Sequence, residues 1–225
     1  MAKPSAPETP DDSPGQRIRN ARKQLGLTLG DISEKTGLAI STLSKLEQGQ
    51  MSLSYDKLTL LSRALDVDMA ELLSARPAAR ADVPPAARGR RVVQRVGDGQ
   101  MVETRSYRQL YLVTELLHKR FTPLIAEVQA RTLEDFKAEF GDLIRHPGEE
   151  FVYVLEGVIE FHSELYAPLK LKAGESMYFD SEMGHAYLKA SDETCRVLAC
   201  CAPRGDDGDL MATFEGAVRQ HQGGG

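Results

Sequence analysis

The chain has 225 residues, 41% of them hydrophobic, and a formal net charge of -5. That length allows one large domain or two modest ones, each with a packed core. The negative balance excludes a uniformly basic nucleic-acid coat, so DNA binding would have to fall to a segment whose local charge differs.

Residues 1–13 are rich in Pro, Ser and Asp and are expected to be disordered. From residue 15 apolar side chains recur at helical spacing as Ile18, Ala21 and Leu25, and Gly26 stops the run. Thr28 can cap a second helix that turns Leu29 and Ile32 inward, with Gly37 turning the chain before Leu38. Ser41 opens a third helix, with Leu43 and Leu46 inward and an end near Gly49. Tyr55, Leu58, Leu61 and Leu65 mark a fourth helix, and Met69, Leu72 and Leu73 a short fifth. Connections of a few residues suit a small bundle. Across 14–50, Arg17, Arg19, Arg22, Lys23, Lys35 and Lys45 outnumber Asp31, Glu34 and Glu47, so this segment is locally basic.

Residues 76–91, RPAARADVPPAARGRR, have no apolar period and read as a linker, partly extended at Pro84 and Pro85. Beyond them the period falls to two. Strands are expected over 110–114, 123–130, 150–155, 158–163, 168–172, 176–179, 185–189 and 195–201, punctuated by Gly157, Gly174 and Gly184. Many short strands with turns indicate an antiparallel barrel or sandwich. The segment 132–143 reads either as a short helix or as a surface loop. The expected division is a helical DNA-binding domain at 14–75, the linker at 76–91, a sheet domain at 92–214 and a tail at 215–225.

The three cysteines are Cys195, Cys200 and Cys201. An odd count with two adjacent is a poor disulfide framework, and no C-x-x-C spacing marks zinc. On one strand they alternate between the core and the opposite face. The chain opens without the apolar run of a leader, and no segment is long enough to cross a bilayer. A cytoplasmic location with no membrane partner is expected.

The stretch 28–49, TLGDISEKTGLAISTLSKLEQG, sets a helix, a turn at Gly37 and a second helix with a polar outer face. Carried by these residues with Ile18, Arg22, Gly49 and Leu58 to Leu65, the region 14–74 closely resembles a known DNA-binding family. It is the helix-turn-helix domain of phage repressors and xenobiotic-response-element-type bacterial regulators. The resemblance implies that the motif's second helix lies in the major groove of double-stranded DNA. Ile40, Ser41, Thr42, Ser44 and Lys45 would then face the groove, with Lys45 able to donate to guanine O6 or N7. Thr28, at a helix N-terminus whose N–H groups favour anions, and Arg17 would meet phosphates.

The run Arg145-His146-Pro147-Gly148-Glu149-Glu150, then Phe151 to Gly157, and later Gly174 and His185, resembles the two motifs of the cupin family. The resemblance covers roughly 90–203. Ile144 stands where the motif's first His falls, and Asp180, Glu182 and Lys189 stand at its Pro, Gly and Asn. It implies a jelly-roll β-barrel. His146 and Glu150 have the same parity, so an extended segment points both to one face, and Val152 and Val154 continue that face inward. His146, Glu150, His185 and Tyr187 form the expected effector pocket. The first three could hold a divalent iron, manganese, nickel or zinc ion. Equally, the imidazoles could hydrogen-bond Glu150 or meet an organic ligand directly.

The two resemblances together imply a non-enzymatic bacterial transcription regulator of the fused type, commonly a repressor. It would act as a homodimer whose cupin domain binds a small-molecule effector and modulates operator binding. The alternative is a metal-dependent cupin enzyme, an oxygenase or isomerase, with a DNA-binding domain attached.

Overall fold

The computed structural model describes residues 13–73 and 89–203. The expected disordered start up to residue 12, most of the linker, the end of the sheet domain and the tail lie outside the described residues.

The helical unit contains α1 (Pro14–Gln24), α2 (Leu29–Thr36), α3 (Ile40–Glu47), α4 (Tyr55–Leu65) and α5 (Met69–Leu73). Ser13 is the N-cap of α1, its hydroxyl accepting from the Gln16 N–H, and Pro14 follows at a position where a missing N–H costs nothing. Thr28 and Asp31 form a reciprocal capping box on α2, and Gly37 ends that helix at φ 73°, a left-handed conformation that favours glycine. The third helix starts at Ile40, one residue before Ser41, and its N-cap Ala39 offers no side-chain bond. Ile18, Ile32, Leu43, Leu46, Leu58 and Leu61 fill the core.

Two arginines brace this bundle. Arg22 on α1 reaches Glu47 at the end of α3 through Nε–Oε1 at 2.6 Å and Nη2–Oε2 at 2.8 Å. Arg17 donates from Nε to the Leu72 carbonyl at 3.0 Å and from Nη2 to the Leu73 carbonyl at 2.8 Å, tying α1 to α5.

The sheet unit runs β1 (Gln100–Glu103), β2 (Tyr107–Tyr111), β3 (Thr122–Val128), α6 (Leu133–Phe140), β4 (Glu149–Glu156), β5 (Val158–Ser163), β6 (Leu169–Lys172), β7 (Ser176–Asp180), β8 (His185–Lys189) and β9 (Arg196–Ala202). A six-stranded antiparallel sheet in the order β1-β2-β3-β9-β4-β7 faces a three-stranded one, β6-β5-β8. The expected closed barrel is therefore corrected to two facing sheets among the described residues. Among the described residues, strand β8 pairs along its length only with β5. It meets residues flanking the large sheet's strands through the Ile144–His185 bridge and the Lys189 N–H on the Ala130 carbonyl, at 2.7 Å. The ambiguous segment 132–143 contains a helix, α6, capped by Thr132. Strand β1 has no counterpart among the expected strands.

The helical and sheet units touch. The Ser52 hydroxyl donates to Glu139 Oε1 at 2.6 Å, and the His118 N–H donates to Asp68 Oδ2 at 2.7 Å. Lys57 Nζ lies 5.5 Å from the centre of the Phe140 ring. Tyr55, the first residue of α4, packs edge-on against His146 with ring centroids 4.7 Å apart.

Candidate functional site

The helix-turn-helix face is built by α2 and α3. Ile40 is 53% exposed, and Ser41 and Lys45 are exposed on the same helix, with Thr42 and Ser44 half-buried. Leu43 and Leu46 anchor the opposite side of α3 in the core. The Arg22–Glu47 pair fixes how α3 projects. Two expected phosphate contacts look different in atomic detail. Arg17 has turned toward the α5 carbonyls. At Thr28 the Asp31 carboxylate already takes the backbone N–H at 2.6 Å and the hydroxyl at 2.7 Å. Those bonds hold the Asp31 pKa below its usual range, so an anion occupies that helix terminus and would repel a second one.

The second candidate site lies between the two sheets. One row of strand register builds much of it. Thr122 on β3 pairs with Cys201 on β9, Cys201 with Glu150 on β4, and Glu150 with Phe179 on β7. Residues directly opposite on paired strands point to the same face, and this row points inward. Strand β8 contributes His185 and Tyr187, and the loop before β4 contributes His146. That loop is pinned by the Ser181 hydroxyl on the His146 carbonyl and the His146 N–H on the Ser181 carbonyl, each at 3.0 Å. The cavity they enclose measures about 40 Å³ and is lined also by Tyr55, Tyr107, Ile144 and Val197.

His146, Glu150 and His185 are each 4% exposed, so their polar atoms must satisfy one another. His146 Nε2 sits 3.1 Å from Glu150 Oε2, and the Tyr187 hydroxyl donates to Glu150 Oε1 at 2.7 Å. His185 Nε2 lies 3.8 Å from Glu150 Oε2. Its Nδ1 is 2.8 Å from the Met183 carbonyl, which can only accept, so Nδ1 carries the proton and the neutral ring leaves Nε2 a lone pair. Burial alone would push the Glu150 pKa up. The bond to His146, the two imidazoles nearby and the Tyr187 hydroxyl outweigh it and hold the pKa below its usual value. Burial also pulls the His185 pKa down, more than the Glu150 charge raises it. The Cys201 thiol is pushed well up by burial first and by the Glu150 charge second.

The structure thus brings all four expected pocket residues around one cavity. It adds two that sequence reasoning missed as site residues. Tyr55 read as an ordinary apolar position of α4, since nothing local signals that α4 begins at the cavity mouth. Cys201 carried one usable signal, its alternation with Cys200: Cys201 is 3% exposed and inward, whereas Cys200 is half-buried on the other face. His146, Glu150 and Cys201 place donor atoms within 4.8 Å of one another. A larger cleft of about 220 Å³ runs between the units, lined by Tyr55, Thr59, Arg63, Asp68, Lys119 and Thr122 among others. Tyr55 borders both spaces.

Comparison with known proteins agrees with this division. A helix-turn-helix family model matches residues 18–72, and a cupin-domain model matches residues 137–201. The HTH-type transcriptional regulator PuuR of Escherichia coli (strain K12) is 27% identical over 195 residues, 85% of this chain and 95% of that protein. The HTH-type transcriptional regulator SinR of Bacillus subtilis (strain 168) is 42% identical over 60 residues, 26% of this chain and 54% of SinR. A solved HTH_3 family transcriptional regulator from Vibrio cholerae shares the fold at a TM-score of 0.56 and 16% identity, covering 87% of this chain and 98% of that one. The chain is a helix-turn-helix domain followed by a cupin domain, the build of the fused DNA-binding transcription regulators.

Proposed function

We propose that this chain binds operator DNA through α3, binds a small-molecule or metal effector in the cupin cavity, and links the two through Tyr55. The observation that carries this reading is the position of Tyr55. It belongs to the helix-turn-helix unit, yet it is 7% exposed and its ring rests against His146.

Size sharpens the reading. Organic ligand sites usually span about 300–1,000 Å³, and the interior cavity is about 40 Å³. An organic effector would fit only if Tyr55 withdrew, which would open the interior cavity into the cleft of about 220 Å³. Tyr55 cannot leave without moving the start of α4, and α4 packs on α2. An effector that needs this displacement binds the DNA-free arrangement better, and by linkage it weakens DNA binding by the same factor. Repression relieved by the effector follows from that sign.

A metal suits the closed arrangement. His146, Glu150 and His185 present two imidazoles and a carboxylate, and the Met183 carbonyl fixes the His185 tautomer, as hydrogen-bond acceptors behind metal-binding imidazoles do. A bound divalent ion would supply positive charge beside Glu150. PuuR, matched along 85% of this chain, is named as a transcriptional regulator, which favours regulation over the enzymatic alternative.

The test is operator binding with and without a metabolite identified by thermal-shift screening. A Tyr55→Leu variant should keep operator affinity within about threefold and lose the effector's influence on it. A His146→Ala variant should also keep operator affinity and lose the response. A full response in both variants would place the signal elsewhere.

A further inference from the structure

We propose that the cupin cavity holds a thiophilic divalent cation such as Zn²⁺, with the Cys201 thiolate as a direct ligand beside His146 and Glu150. This names the ligand class of the cavity read above as the effector site, and it rests on that reading only for its regulatory consequence.

Three observations converge. The first is register. Cys201 and Glu150 are direct partners across β9 and β4, so the backbone delivers sulfur and carboxylate to the same spot. His146 brings the third donor, and all three lie within 4.8 Å of one another. His185 Nε2 lies 3.8 Å from Glu150 Oε2, beside this group of three and not within it. Zinc sites are commonly four-coordinate, built from such N, S and O donors.

The second is charge. Glu150 is a buried carboxylate with His146 Nε2 at 3.1 Å and His185 Nε2 at 3.8 Å from its Oε2. Buried charges are paired or coordinate metals. A divalent cation would supply that balance directly.

The third is space. A water-sized occupant needs roughly 10–15 Å³, so a cavity of about 40 Å³ suits an ion with a water and excludes a larger guest while Tyr55 is in place. Sulfur selects against the hard ions Mg²⁺ and Ca²⁺, which prefer all-oxygen shells.

Binding has a simple proton balance. The Sγ–H bond breaks, its proton leaves to solvent, and the sulfur lone pair coordinates the cation, with no change of oxidation state. Before binding, the thiol sits beside Glu150, its direct partner across β4 and β9, and lines the same cavity as Tyr55. Taking the sulfur as ligand alters what Tyr55 meets, so cation loading would reach α4 directly.

The experiment uses the full chain, freed of metal by chelator and then titrated with Zn²⁺ or Co²⁺. Wild type should bind one ion, and the Co²⁺ form should show a sulfur-to-metal charge-transfer band in the near ultraviolet. Cys201→Ser should lose that band and bind Zn²⁺ at least tenfold more weakly, about the minimum expected from the effect of outer-shell partners. Cys195→Ser, outside the cluster, should behave as wild type. The band requires only wild-type protein, so a variant that fails to fold leaves the proposal testable. Absence of the band, absence of binding, or unchanged affinity in a folded Cys201→Ser would overturn it. A chain that takes Zn²⁺ through Cys201 yet binds operator equally with and without it upholds this inference and overturns the coupling through Tyr55.

Discussion

At the scale of single residues, the helix-turn-helix unit separates side chains that hold α3 from those that α3 displays. Arg22 and Glu47 belong to the first group, with side chains 12% and 8% exposed. Removing one partner strands the other charge in the bundle. Arg22→Ala should therefore cost about 3–5 kcal/mol, read from urea unfolding, whereas an Arg22→Met, Glu47→Leu pair should come much closer to wild type. A double variant as unstable as the single would mean the loss is packing and not charge. Ser41 and Lys45 belong to the second group. Their replacement by Ala should leave unfolding within about 0.5 kcal/mol of wild type. Operator affinity should fall, by about 1–3 kcal/mol if Lys45 reads guanine. Equal loss on every sequence would show Lys45 to be a phosphate contact instead.

At the scale of elements, α6 sits where the two units meet. Its Glu139 accepts from the Ser52 hydroxyl of the helical unit and from the backbone N–H groups of Arg105 and Ser106. Burial raises the Glu139 pKa, but the bonds from Ser106, Ser52 and Arg105 outweigh it and leave it below the ordinary 4.5. A carboxylate with a lowered folded pKa contributes stability that is complete above its unfolded pKa and is lost as pH falls through the folded one. Glu139→Gln should thus be less stable than wild type at pH 7, and the difference in melting temperature should shrink as pH drops below 4.5. A difference that stays constant down to pH 3 would remove the ionised carboxylate from the account. Most elements were legible because each carries its own apolar period: α1 through α5 declare themselves by Leu and Ile spacing, and β4 by the inward Val152 and Val154. Strand β1 was silent because its four residues bury only Val102. His146 and Glu150 do converge, but around the bend at Pro147 and Gly148 and not along one extended strand, so the parity of the sequence named the pair without giving the path. Cys201 beside Glu150 and Tyr55 beside His146 were not legible, since strand order and the meeting of two units decide them.

At the scale of the whole molecule, operator recognition by a single short helix is weak, so two copies would need to act together. The large sheet offers a face for that. On its outer side Phe151 pairs with Tyr178 and Cys200, and Tyr153 with Leu198, all pointing away from the cavity. Phe151, Tyr153 and Tyr178 are 37%, 38% and 62% exposed, a run of aromatic surface on neighbouring strands. Contiguous apolar surface of this kind marks association sites, and a two-fold contact is self-complementary. Such a homodimer would hold two α3 helices for half-sites about 34 Å apart. Tyr153→Lys with Tyr178→Lys should then yield a monomer in analytical ultracentrifugation. Linking two modules raises affinity by roughly 10²–10⁴-fold, so the monomer should lose about that factor on a full operator. It should keep wild-type affinity for an isolated half-site, because α3 and its Arg22–Glu47 brace are untouched. A double variant that stays dimeric would assign dimerisation to another surface. A monomer that binds the full operator undiminished would show that one helix-turn-helix unit is sufficient.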